Sequence, residues 1–314
     1  PAVRAVGVRG APEVDLRFRD PGLRTIARRM GPVVFSLMAT NLMIVIMTIL
    51  ASQQDGWASS LNFAFRLVHL PIGVVGVAIG TVILAAGSRR SAASDDDGLA
   101  DVVRRGLRLN WFLALPAAVG LFVLAEPIVR LIYERGEFGS ADTLAVATAL
   151  RYYAVGVVVY AGVKAAAPDF LARGDTRTPM LCALVGIAVN LVVAFSLVGT
   201  LGMRALALAV AAGAAANYVS LRLLSRARHG SSSAAGLGFL LRCLIASAVL
   251  GGAGWGASQL WLGGDGAVYS RWGEGLLTLA TIGALGMIYF LVAAGLGLDE
   301  GDWVRRRLLR RQGR

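Results

Sequence analysis

The stretch Asn62–Ser88 reads NFAFRLVHLPIGVVGVAIGTVILAAGS. It is long and apolar enough to cross a bilayer, yet it carries Arg66 near its start and Pro71 soon after. A cation at membrane depth costs at least about 2.5–3.5 kcal/mol, so it normally faces a protein interior or a wet cavity and marks function. The competing reading is that Arg66, about one helical turn into the apolar run, snorkels to the headgroups. Pro71 predicts a kink or a tilt in this span.

Working outward, the 314 residues are 56% hydrophobic and 16% charged. A soluble domain would carry roughly 25% charged residues, which makes this a membrane protein. The net charge of +12 raises nucleic acid as a ligand. The arginines, however, sit in short clusters between apolar runs, with no basic face and interleaved aromatics, so nucleic acid is set aside. Cys182 and Cys243 lie in or beside apolar runs without metal-ligand spacing and read as packing residues. The start has no cleavable signal pattern and the first residue is Pro1, so the expectation is the downstream part of a longer protein.

Residues 1–31 are polar and arginine-rich. Asp20 and Pro21 suit an N-cap and a first helical position, and Leu23, Ile26 and Ala27 would give a short amphipathic helix on the membrane surface. Apolar runs of spanning length follow at about 33–51, 62–88, 110–131, 146–170, 179–199, 203–224, 236–261 and 274–297. The expectation is an all-α polytopic membrane protein with about eight transmembrane helices. The arginines alternate with these runs. Arg89, Arg90, Arg104, Arg105 and Arg108 form one expected loop, Arg173 and Arg177 a second, Arg222, Arg226 and Arg228 a third, and the tail from Arg305 to Arg314 closes the series. The intervening connections are poor in arginine, which puts both termini in the cytoplasm. Gly and Ala crowd the later spans, as small residues do where membrane helices approach closely.

Catalytic signatures are missing: no HExxH, Walker loop, GxGxxG or nucleophile–base pair occurs. The chain reads as no enzyme, with no cofactor and no metal site. Glu126 and Asp169 stand near span ends and read as interfacial residues. The middles of 33–51, 62–88, 179–199 and 203–224 hold no carboxylate, which argues against proton or sodium coupling there. The polar candidates at depth are Arg66, His69, Asn41, Asn190, Lys164 and Asn217. His69 follows Arg66 by one turn and would share its face as an anion-binding wall, a task suited to the guanidinium fork. Lys164 either snorkels to anionic headgroups or faces a cavity. Asn41 and Asn190 read first as helix–helix hydrogen bonds and second as ligand contacts.

These residues also carry a resemblance. LNFAFRLVHLPIGVVGVAIGTVIL, RLIYERGEFGSADT and VKAAAPDFLARGDTRTPM resemble characteristic stretches of the MurJ (MviN) lipid II flippase family, as does the lead-in FRDPGLRTIARRMGP. The likeness runs from about Leu16 to Arg228. It implies the multidrug/oligosaccharidyl-lipid/polysaccharide exporter fold: two six-helix lobes, plus two C-terminal helices in this family. This chain would hold a basic segment (1–31), the second lobe (33–224), the added pair (225–298) forming a groove for the lipid tail, and a basic tail (299–314). The first lobe would be supplied in cis or in trans.

The implied activity is movement of an undecaprenyl-pyrophosphate-linked peptidoglycan precursor to the outer leaflet of the bacterial inner membrane, by alternating access. Arg66 matches the family's cavity arginine in this lobe. The sequence departs from the family pattern at Phe65 and Met47, where Asp is usual or common, at His69 for Gln, at Ala85 for Pro and at Ala194 for a polar residue. Those losses argue against the sodium site some members carry. Two rival readings remain: another drug or polysaccharide exporter of the superfamily, and a non-transporting membrane scaffold for cell-wall enzymes.

Overall fold

A computed structural model of the chain describes residues 21–230, 236–259 and 271–298. Among these residues every regular element is helical. The expected N-cap Asp20, the rest of segment 1–20, and the tail 299–314 lie outside them.

Helix α1, Pro21–Ala51, starts at the proline that the sequence marks. It then runs on without a break, so the surface segment and the first span share one helix. A membrane helix tolerates an internal proline such as Pro32 where its surroundings satisfy the freed carbonyl.

The quoted stretch lies in a continuous 36-residue span, Trp57–Ala92. Its first part is α2 (Trp57–Pro71), its last part α3 (Ala78–Ala92), and a π-helical turn, Ile72–Val77, joins them. Pro71 has no N–H to donate, and the widened turn follows directly from the proline. The expected kink takes this form.

The span expected at 110–131 begins earlier, at Asp96. Helix α4 covers Asp96–Val123 and a short α5 covers Ala125–Tyr133. The arginines assigned to one loop are therefore helical: Arg89 and Arg90 close α3, and Arg104, Arg105 and Arg108 ride on α4. The reason is local. Asp95 accepts from the Gly98 N–H at 2.8 Å, and Asp96 and Asp97 occupy the first turn, where the helix dipole favours acids. Arg104 and Arg105 both pair with Asp101 one turn back.

The fourth span is broken. Helices α6 (Ser140–Ala154) and α7 (Val157–Ala172) meet at a 46° bend. Helices α8 (Arg177–Leu201), α9 (Met203–His229), α10 (Leu237–Ala257) and α11 (Arg271–Gly295) complete the chain. Seven single helices are long and apolar enough to span, and the bent pair brings the number to eight, as the apolar runs predict.

Three buried clusters hold these helices together. One joins α2, α6 and α9 through residues such as Ala64, Val68, Leu150 and Leu206. A second, toward the arginine-rich side, gathers Ile83, Leu99, Leu107, Phe170 and Leu221. The third seats α10 and α11 on α4 through Phe112, Phe239, Leu250 and Tyr289; there the buried Tyr289 hydroxyl donates to the Phe112 carbonyl at 2.7 Å. Cys182 and Cys243 are buried in the second and third clusters.

Candidate substrate face

Arg66 lies nine residues beyond Trp57, where α2 begins. At 1.5 Å per residue that is about 14 Å of rise, nearly half of a ~30 Å hydrocarbon core. Arg66 is exposed on the protein surface, and among the described residues no ion pair engages it. Its guanidinium carbon stands 5.9 Å from the centre of the Phe63 ring, within cation–π range. Phe63 in turn packs on Tyr133 at 4.9 Å and Phe138 at 5.7 Å, and the Tyr133 hydroxyl donates to the Phe63 carbonyl at 3.4 Å. The end of α5 and its connection to α6 thus back the ring on which the arginine rests. Sequence reading missed this aromatic set, although it lies in the RLIYERGEF segment.

His69 is exposed one turn further in. Its Nδ1 is 3.3 Å from the Phe65 carbonyl oxygen, and its ring meets Phe65 edge-on at 4.3 Å. Phe65 continues inward to Tyr153 at 5.5 Å, so an aromatic fills the place where the family pattern has an acid.

The other three candidates do not converge on this point. Asn41 lies ten residues before the end of α1, a rise of about 15 Å that matches the depth of Arg66. It is exposed, and its Nδ2 donates to Leu37 in its own helix at 2.9 Å. The expected helix–helix bond is not formed. Asn190 is only 2% exposed, sealed between α8 and α9. Here a Cβ on Gly213 would stand 2.6 Å from the Gly186 carbonyl oxygen and 2.8 Å from the Asn190 Cβ. The contact is reciprocal, since a Cβ on Gly186 would meet the Gly213 carbonyl at 2.7 Å and the Asn217 Cβ at 3.0 Å. Asn190 is therefore a seam residue. Lys164 is exposed on α7, and its carbonyl oxygen would lie 2.4 Å from a Cβ on Gly80. Gly80 is fourteen residues past Arg66, about 20 Å further along the span. Lys164 thus belongs to the opposite, arginine-rich end.

Outside this face several charges are paired. Arg130 reaches Glu126 at 3.2 Å and Glu134 at 3.5 Å, and Thr143 donates to Glu134 at 2.6 Å. Glu126 is half-buried in this network. The GDTRTP motif is likewise structural. Asp175 accepts from the N–H groups of Arg177 and Thr178, both at 3.0 Å, and Arg228 of α9 reaches it at 3.1 Å. Burial opposes ionisation of Asp175, but the Thr178 hydroxyl, these two N–H groups and Arg228 together hold its carboxyl below the usual value. Asp169 is 3% exposed, more enclosed than the interfacial residue that its span-end position suggests.

The geometry defines a multi-pass membrane protein with a broken helix pair and an arginine exposed on one of its spans, features found in transporters. A family model described as "Lipid II flippase MurJ" matches residues 1–270, and the chain belongs to that family. It is 34% identical to the probable lipid II flippase MurJ of Rhizobium meliloti (strain 1021), over 98% of this chain and 58% of that protein. Against the Rhizobium tropici counterpart the identity is 33%, over 99% and 59%. The chain spans little more than half the length of these relatives. Among solved structures, lipid II flippase MurJ in an inward closed conformation matches with TM-score 0.67 at 22% identity, covering 87% of this chain and 55% of that one. An outward-facing multidrug resistance MATE transporter matches at TM-score 0.57 and 17% identity, covering 88% and 66%. The fold is that of the exporter superfamily.

Proposed function

We propose that this chain is the C-terminal part of a lipid II flippase, moving undecaprenyl-pyrophosphate-linked peptidoglycan precursor from the inner to the outer leaflet of the bacterial inner membrane. In this reading helices α1 to α9 are the second lobe, and α10 and α11 cradle the polyprenyl tail. Residues 1–31 and 299–314 are basic cytoplasmic segments, and both termini face the cytoplasm. A first lobe, in cis or in trans, closes the cavity, and transport proceeds by rocking of the two lobes.

The observation that carries this reading is Arg66, exposed at mid-membrane depth with no carboxylate partner among the described residues. A guanidinium in that position offers a bidentate grip on pyrophosphate, and it keeps its charge at any physiological pH. His69 modulates that grip from one turn away. Asn41 contributes a polar edge at the same depth, while Lys164 meets the substrate near the cytoplasmic end. Asn190 supports the face from the seam behind it.

The test is complementation. Flippase is depleted in a bacterial host, and this chain is expressed alone and joined to a family first lobe. Rescue by the joined form, lost in its Arg66→Ala variant, is the expected result. Failure of both forms, with protein present in the membrane, would favour a non-transporting scaffold and overturn the proposal.

A further inference from the structure

The proposed transport role leaves one buried acid unused. Asp169, near the end of α7, has a side chain only 4% exposed. Its Oδ2 accepts a hydrogen bond of 2.6 Å from the Ser225 hydroxyl of α9. Two basic side chains stand off: Arg173 Nε is 3.5 Å from Oδ1 and His229 Nδ1 is 3.7 Å from Oδ2. Arg173 is already engaged by Asp96 at the start of α4. His229 is 16% exposed, and its ring packs on Phe170 at 5.5 Å. Arg173 Nε and His229 Nδ1 are both buried without a hydrogen-bond partner.

A buried carboxylate with one neutral donor, and with a guanidinium and an imidazole standing off, is incompletely satisfied. Histidine is the side chain whose charge changes between about pH 5 and pH 8. We infer that Asp169, His229 and Ser225 form a proton-binding site at the inner mouth of the lobe, which ties the end of α9 to α7 when His229 is protonated. The proton enters on the imidazole, and Nδ1–H then donates to Asp169 Oδ2 as a charge-assisted bond. Other charges bear on the same imidazole. Burial foremost, then Arg173 just past α7 and the neighbouring Arg228, oppose its protonation and hold it below the usual histidine value, whereas Asp169 favours it. Arg173 is balanced by Asp96 of α4, and Arg228 by Asp175 of the α7–α8 connection. Proton uptake at His229 therefore adds a second fixed cation to Asp169 and leaves Arg173 to Asp96.

The inference does not depend on the substrate. It is tested on this chain in lipid nanodiscs, without lipid II. The chain has two histidines, so their imidazole NMR signals can be told apart with His69→Gln. His229 is expected to titrate below the usual histidine value, and Asp169→Asn to lower its midpoint further, by about one unit or more. As a second readout, amide exchange of Ser225–His229, corrected for the intrinsic pH effect, is expected to slow on acidification in wild type and not in His229→Gln. An unchanged midpoint in Asp169→Asn would overturn the inference. So would a His229 that stays neutral down to pH 5, or amide protection that ignores pH.

Discussion

Two parts of this molecule carry polar side chains at nearly the same depth and treat them in opposite ways. In the α8–α9 seam, Asn190 and Asn217 stand one turn from Gly186 and Gly213, and the glycines let the two backbones touch. Asn190 is buried and Asn217 half-buried, and the Oδ1 of each is enclosed without a hydrogen-bond partner among the described residues. On α1 and α2, by contrast, Asn41, Arg66 and His69 are exposed, and the arginine has no ion-pair partner among the described residues. A polar group in a membrane is costly wherever it sits. Enclosure converts that cost into helix–helix specificity, whereas exposure at depth makes sense only beside a wet cavity or a polar substrate.

The contrast can be broken most severely at Arg66. Arg66→Ala in a complete flippase should lower transport at least tenfold with thermal stability unchanged, because the side chain buries little. Arg66→Lys should fall between, since an ammonium keeps the charge and loses the fork. Equal transport by all three forms would erase the distinction between face and seam. The seam should respond in the opposite sense. Gly213→Val places methyl groups where a carbonyl already stands at 2.6 Å, and overpacking of this kind costs about 1–3 kcal/mol, to be read as a lower unfolding temperature in detergent. Lys164→Gln should reduce transport only a few-fold, because it lies about 20 Å of helix away from Arg66. Asn41→Ala should leave stability within about 0.5 kcal/mol, since its bond is to its own helix.

The smallest effect concerns acid. The Asp175 carboxyl is held below its usual value in the folded chain, so its contribution is present above the unfolded value near 4 and is lost as pH falls through the lower, folded value. Unfolding of the α8–α9 end should therefore become acid-sensitive only below about pH 4, and Asp175→Asn should flatten that limb.

Much of the fold was legible in the sequence. Apolar runs give the span number because lipid leaves the backbone no alternative to helix, and Pro71 marks the widened turn. The 46° bend at Val155–Gly156 has no proline to announce it. The helical start of α4 was hidden because its arginines resemble a loop until Asp95 is recognised as a cap. The site was half legible. Arg66 and His69 are marked by residue type within an apolar run. Asn41 and Asn190 look alike in sequence, and only the Gly213 contact from another helix separates them. Asp169 was read as interfacial because its partners Ser225 and His229 lie more than fifty residues away.

The most direct test of the central claim is binding of undecaprenyl pyrophosphate to this chain in nanodiscs, with undecaprenol as the uncharged comparison. Wild type and Asn190→Ala are predicted to prefer the pyrophosphate equally, while Arg66→Ala loses the preference and keeps its affinity for undecaprenol. A preference that survives Arg66→Ala would contradict the account and move the headgroup site elsewhere in the lobe.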